Sequence, residues 1–237
     1  MNKRRKILCP SILNLPVDRL REEIVELNQS DVDIFHVDIM DGSFVPSFGM
    51  SLRELELIRE NTDKLIDCHL MAWNPHLHVE TAARCGADII YIHPESENCP
   101  SETLDLIHGF GRKAGLVLNP CTSLDSVKDM LPIVDYVMMM GVNPGYAGRS
   151  YLEYLDGKFA RMAEIRRQYD FKLILDGGAT CRVIKKLYHQ YGVEGFVLGR
   201  QELFSKRVHI RNQSLYCAVS DGKMQRDSSV KIKEDIR

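Results

Sequence analysis

The chain has no CxxC pair, no large excess of charge of either sign, no long apolar run and no linker rich in glycine, proline or serine. Each absence removes a class of protein. The cysteines stand singly at positions 9, 68, 85, 99, 121, 181 and 217, several of them inside apolar runs. Buried thiols in a reducing, cytoplasmic compartment explain that scatter better than a disulfide framework. Lysine and arginine number 31 against 33 aspartates and glutamates, a formal charge of -2, so no broad basic field recommends nucleic acid as a partner. The start, MNKRRK, is basic, but the ILCPSILNL after it is broken by polar residues and proline before PVDRLREE begins. It is too short for a membrane span and makes a poor secretory signal. With 44% hydrophobic and 27% charged residues, the composition is that of an ordinary soluble globular protein.

What is present is a rhythm. Short apolar runs at 7–13, 33–40, 64–71, 88–95, 114–120, 135–145, 172–178 and 195–200 read as strands. Between them, 17–29, 51–60, 75–86, 101–113, 123–131, 153–169 and 181–191 read as helices; Leu20, Ile24 and Leu27, for example, recur at helical spacing. Pro75 suits a first helical turn and Gly86 a helix exit. Strand and helix alternating through eight strands is the pattern of an α/β fold closed as a single-domain (β/α)₈ TIM barrel. A doubly wound open sheet is the alternative, weakened because ILCPSILNLP after the first strand is no GxGxxG turn. The barrel is expected over residues 1–210, with 211–237 a polar extension, partly disordered.

In such a barrel the working side chains sit at the carboxyl ends of the strands. His36 and Asp38 are two apart in IFHVDIM and face one side of their strand. His69 comes near the end of DCHLM, and Asp176 ends LILD. Two imidazoles and two carboxylates suit one divalent ion, Zn²⁺ first, then Mn²⁺, Fe²⁺ or Co²⁺. Each residue alone also has a plainer reading. His69 could be a satisfied core histidine, His36 and Asp38 hydrogen-bonded strand-end groups, and Asp176 a turn initiator. Their recurrence at three strand ends favours a shared site. Cys68, next to His69, should face the opposite side and pack on a helix. His93, in IHPE where the fourth strand ends, either donates to a substrate or an outer carboxylate, or is a hydrogen-bonded core histidine. His76 and Glu80 in HLHVE read as an exposed i,i+4 pair rather than a metal site. Along MMM, Met138 and Met140 share one side of the strand and Met139 takes the other.

Taken together, PSIL at 10–13, HVDIMDGSFVP, DCHLM, LNP at 118–120, MGVNPGYAGR and LDGG make the chain resemble the ribulose-phosphate 3-epimerase family, including its allulose-6-phosphate 3-epimerase branch. The resemblance implies a ribulose-phosphate-binding TIM barrel that inverts carbon 3 of a ketose phosphate with one divalent metal ion per subunit. It implies His36, Asp38, His69 and Asp176 as metal ligands, with Asp38 and Asp176 also the acid–base pair. Ser11 and His69 would lie on the substrate side, and Met40, Met71 and Met140 would line the reaction centre. The favoured pair is D-ribulose 5-phosphate and D-xylulose 5-phosphate; D-allulose 6-phosphate and D-fructose 6-phosphate are the alternative. Removing the C3 hydrogen beside a C2 ketone gives a planar enediolate, which one acid reprotonates from the face opposite to that of the base.

The far end of such a substrate needs a phosphate grip. Gly145, Tyr146, Ala147 and Gly148 follow the sixth strand and Gly177 and Gly178 the seventh, where such barrels hold phosphate on backbone donors and a helix N-terminus. Gly199 and Arg200 complete the expected cradle, Arg200 as a charge-assisted contact. Three departures put the sugar's identity in question: GRQE at 199–202 in place of a small hydroxyl pattern, Ser43 in a shortened 42–50 loop where histidine is common, and Arg149 where glutamine is common. Accounts from other classes are a non-catalytic sugar-phosphate-binding barrel and a metal-free lyase or synthase. The latter would need its own base, and Lys172 starts a strand rather than ending one. A helix-mediated homo-oligomer is the further expectation.

Overall fold

Eight parallel strands alternate with helices along the chain and pair in the order β1-β8-β7-β6-β5-β4-β3-β2. They are β1 Ile7–Pro10, β2 Ile34–Met40, β3 Leu65–Met71, β4 Ile89–Ile92, β5 Lys113–Leu118, β6 Tyr136–Met140, β7 Lys172–Asp176 and β8 Gly195–Leu198. A parallel bridge between Ser11 and His36 joins the first strand to the second and closes the (β/α)₈ barrel. The computed structural model describes residues 5–199. Expectations placed on Arg200 and on the 211–237 extension lie outside the described residues. No helix among the described residues is long and apolar enough to cross a membrane.

The strands are apolar on both sides because both sides are covered. Cys9, Ile34, Ile89, Tyr91, Val117, Met138, Met140, Ile174 and Val197 point into the barrel and pack on one another. The alternate residues, including Phe35, Val37, Cys68, Ile90, Leu116 and Met139, pack under the helices. The parity expected of Met138, Met139 and Met140 and of Cys68 is therefore the observed one. Inside, Gly115 stands in register with Tyr91, and a Cβ at Gly115 would lie 2.1 Å from the tyrosine ring. The missing side chain makes room for the largest buried one. Among the described residues, all the cysteines are free; burial pushes the thiols of Cys9 and Cys68 well up, and that of Cys85 to about 11, so they stay protonated.

The outer layer is α1 Leu20–Asn28, α2 Leu52–Arg59, α3 His76–Arg84, α4 Pro100–Gly109, α5 Asp156–Ile165 and α6 Cys181–Tyr191. α2 starts on a capping box, with Ser51 Oγ accepting from Arg53 N and the Glu54 carboxylate accepting from Ser51 N at 2.8 Å. Two local expectations fail. The 123–131 helix is absent, and the connection instead holds a 3₁₀ run, Lys128–Ile133, with Pro132 inside it. Ser123 accepts from Asp125 N, and Ser126 Oγ donates to Ser123 O, so side chains compete for the backbone where an α-helix would start. Pro132 then removes a donor where it would continue. Nor do His76 and Glu80 pair: His76 reaches Glu97 at 3.3 Å, while Glu80 takes the permanently charged Arg84 at 2.8 Å.

The amino-terminal rim carries a fourfold device that ties odd strands to even ones. Asp33, Asp88, Asp135 and Glu194, each just before an even strand, donate their backbone N–H to Leu8, Ile66, Ala114 and Leu173. The three aspartates also accept from the N–H of those same three residues, at 2.9 Å each. Every carboxylate meets a cation: Arg5, Arg59, Lys113 and Arg166 respectively. This face serves stability. Asp88→Ala strips one backbone partner and the Arg59 contact, and is expected to lower the unfolding free energy in urea by about 2 kcal/mol. Metal content and turnover should stay at the wild-type level.

Candidate active site at the carboxyl end of the barrel

β2 directs His36, Asp38 and Met40 to the barrel side by simple alternation, and β3 does the same with Asp67, His69 and Met71. The two strands pair with His36 opposite Asp67 and Asp38 opposite His69. Polar groups are thus stacked in two rungs inside a barrel. His36 and His69 are fully buried and Asp38 nearly so. Asp38 Oδ1 lies 3.0 Å from His36 Nε2 and 3.2 Å from His69 Nδ1. Asp176, at the end of β7, brings Oδ2 to 3.9 and 3.6 Å from the same two nitrogens. One ligand atom from each of the four residues lies within 4.8 Å of the other three.

The other nitrogen of each imidazole is already engaged. His36 Nδ1 meets Asp67 Oδ1 at 2.5 Å, and His69 Nε2 meets His93 Nε2 at 2.9 Å. Such outer partners fix a ligating ring's tautomer and turn its remaining nitrogen toward the ion. A buried cluster of two nitrogens and two carboxylate oxygens, held this way, fits a divalent metal ion. Asp38 is held a second time, since Ser11 Oγ donates to its Oδ2 at 2.8 Å.

The charges sort the two acids. Burial would raise Asp38, but the His36 and His69 imidazoles outweigh it and hold the carboxyl well below the usual range. Burial also raises Asp176; His36 and His69 oppose that, Asp38 and Asp67 add to it, and the balance is upward. Burial lowers His36, yet the Asp67 and Asp38 carboxylates carry it well above the usual histidine value. Burial and the neighbouring His69 push His93 well down, so His93 is a neutral partner.

Above this cluster opens a cavity. Ser11, Asp38, Met40, Met71, Met140 and Asp176 form its floor, together with Leu13 and Val197. Gly145, Tyr146, Ala147, Gly148, Gly177, Gly178 and Gly199 form the far wall, joined by Ala179 and Thr180 at the start of α6. Gly178 has φ +69°, and a Cβ there would come 2.4 Å from Tyr151 N, so the wall depends on glycine at this point. His36 and His69 lie beneath the wall rather than in it, and so does His93, which backs His69 instead of reaching the cavity.

Several contributors were not singled out from the sequence. Asp67 carried a signal: it sits two residues before His69 in DCHLM and shares its face. Asp41 had none. Its Oδ1 accepts from Ser43 N and Phe44 N at 2.8 and 2.7 Å, and its Oδ2 from Trp73 N at 2.9 Å. Those backbone donors outweigh burial and keep the Asp41 carboxyl below its ordinary value. The 42–50 loop is thereby tied to the end of β3, and Ser47 Oγ ties it to Gly145 O at 2.8 Å. Ser43, one of the departures, is exposed and outside the cavity wall. Arg149, another, is in the wall.

A model of the ribulose-phosphate 3-epimerase family matches residues 7–203. The chain belongs to that family. It is accordingly an isomerase of the epimerase type, with a barrel and a buried two-histidine, two-aspartate cluster to match. Among its relatives, ribulose-phosphate 3-epimerase of Synechocystis is 39% identical over 176 residues, covering 73% of this chain and 76% of that one. The Helicobacter pylori protein of the same name is 36% identical over 201 residues, covering 84% and 91%. Two solved structures share the barrel alone. A 3-keto-L-gulonate-6-phosphate decarboxylase from Vibrio cholerae superposes with a TM-score of 0.68 at 11% identity, covering 91% of this chain and 96% of the other. A tryptophan synthase α-subunit from Pyrococcus furiosus gives 0.67 at 13%, covering 92% and 99%.

Proposed function

We propose that this epimerase-family protein interconverts D-ribulose 5-phosphate and D-xylulose 5-phosphate by metal-dependent inversion at C3, with Zn²⁺ the favoured ion. The observation that carries the reading is the placement of Asp38 and Asp176: two carboxyls from different strands stand on one cavity floor, each within 4 Å of both His36 and His69. The ionised carboxyl accepts the C3 proton. The protonated one delivers a proton to the other face of the planar enediolate, and the reverse reaction exchanges their parts. Ser11 keeps Asp38 turned by holding Oδ2, and Asp67 and His93 keep the two imidazoles turned. Met40, Met71 and Met140 bound the reacting carbons without accepting or donating protons, which shields the enediolate from stray protonation. His36, Asp38, His69 and Asp176 would hold the ion, which when bound supplies Lewis-acid stabilisation of the oxygen charge developing at C2 and C3.

The five-carbon assignment draws on the ribulose-phosphate names of the relatives. HPES and DCHLM lean instead toward the allulose-phosphate branch, which makes D-allulose 6-phosphate the second reading. A kinetic panel decides. With zinc-loaded protein, kcat/KM for D-ribulose 5-phosphate should exceed that for D-allulose 6-phosphate by about tenfold or more, the scale on which one extra carbon is discriminated. The opposite order would move the assignment to the six-carbon sugar. No turnover of either would overturn both substrate readings.

A further inference from the structure

Among the described residues that line the cavity are two carboxyl side chains, Asp38 and Asp176 on the floor, and one guanidinium, Arg149. A phosphorylated ketose brings about two negative charges, and the metal ion held by the two acids would offset those acids rather than the phosphate. The backbone donors of 145–148 and 177–180 offer partial charges to that phosphate, as does the amino end of α6. Arg149 is the one full cation among the described residues of the wall.

Arg59, Arg84, Arg161, Arg166 and Arg182 each meet a carboxylate. Arg53 and Arg149 are both exposed and have no such partner among the described residues, and of the two Arg149 alone lines the cavity. Arg149 makes no ion pair or hydrogen bond with any described residue; its guanidinium carbon lies 5.9 Å from the centre of the Tyr146 ring. Tyr146 lines the same wall and is 47% exposed. Gly148, directly before Arg149, has φ +77° and turns the chain at this point. A guanidinium resting on an aromatic face keeps its five donors free and loses less freedom when a ligand arrives.

We propose that Arg149 is the side-chain anchor of the substrate phosphate, held over the Gly145–Gly148 loop by Tyr146, and that it sets this enzyme's preference for phosphorylated over unphosphorylated ketoses. The inference rests on the ketose-phosphate reading given above. It gives Arg149 a part of the kind expected of Arg200, which lies outside the described residues. A forked guanidinium suits a phosphate face better than a carboxamide, so the presence of arginine rather than glutamine here has a chemical consequence.

The test uses the full-length, zinc-loaded protein, Arg149→Gln and Arg149→Lys, and two readouts. The first is KM for D-ribulose 5-phosphate against KM for unphosphorylated D-ribulose. The second is the dissociation constant of inorganic phosphate, measured by calorimetry without any substrate. R149Q should raise KM for the phosphorylated sugar about tenfold and weaken inorganic phosphate by a similar factor, the scale of a charge-assisted contact. R149K should fall between, since it keeps the charge and loses the fork. KM for the unphosphorylated sugar should shift far less, and metal content should remain full. An equal rise for both sugars would mark general damage to the cavity and overturn the proposal. Unaltered phosphate affinity and KM in R149Q would overturn it too, while leaving the epimerase reading intact. Wild-type protein that fails to turn over ketose phosphates, yet binds inorganic phosphate through Arg149, would do the reverse.

Discussion

Asp176→Asn should reduce epimerisation in both directions by about three orders of magnitude, the middle of the range for loss of a positioned acid–base group. Asparagine keeps an oxygen near His36 and His69 but can neither receive nor release the proton. The sharper expectation concerns exchange in deuterated water. In D176N, Asp38 still removes and returns the C3 hydrogen on its own face. One epimer should therefore gain deuterium at C3 without inverting, and the other should stay unlabelled. In Asp38→Asn the two epimers should trade behaviour, because each carboxyl serves a single face. Proton NMR of the C3 signal reads both outcomes, with elemental analysis confirming that each variant retains its ion. Exchange of the same epimer in both variants would rule out the two-face assignment, and wild-type turnover in either would rule out that residue as acid or base.

His36→Ala and His69→Ala should release the metal ion and bring turnover to background, since each removes one of four converging ligand atoms. Elemental analysis after dialysis checks this, and full occupancy in both variants would defeat the ligand assignment. Each substitution also empties buried space in the barrel, so a gentler variant is needed. Asp67→Asn is nearly isosteric, lies outside the ligand set and leaves His36 in place. With the carboxylate gone, His36 Nδ1 loses its charged partner, and metal affinity should fall about 10–100-fold. Turnover should recover as metal is added, which a collapsed fold would not allow.

Much of this architecture was legible along the chain because it depends on local geometry. Side chains alternate across a strand by covalent structure alone. The shared face of His36 and Asp38, the outward turn of Cys68 and the split of Met139 from its neighbours follow from counting by twos. The alternation of apolar runs with amphipathic segments likewise announces a barrel covered by helices. Where the pattern misled, side chains competed with the backbone: Ser123, Ser126 and Pro132 turned an apparent helix into a 3₁₀ run. The His76–Glu80 spacing was right for a pair, but a more strongly charged partner was in reach at Arg84.

By itself, then, the sequence determined the element order, the parity of each strand and the kinds of group presented at the strand ends. Only the tertiary structure decided which of those groups meet. His36 and Asp67 are 31 residues apart and touch because β2 and β3 pair in one particular register; a shift of one residue would turn one of them out of the barrel. His93 stands behind His69 for the same kind of reason, through the next strand pair. The opposite shifts of Asp38 and Asp176 need more still, since they arise from burial and from imidazoles and carboxylates contributed by different strands. That Arg149 lines the same cavity as Asp38 and Asp176, beside the Tyr146 ring, likewise follows from the fold and not from its place in the chain. Periodicity is a property of neighbouring residues, whereas register, desolvation and the sum of charges at a point belong to the closed barrel.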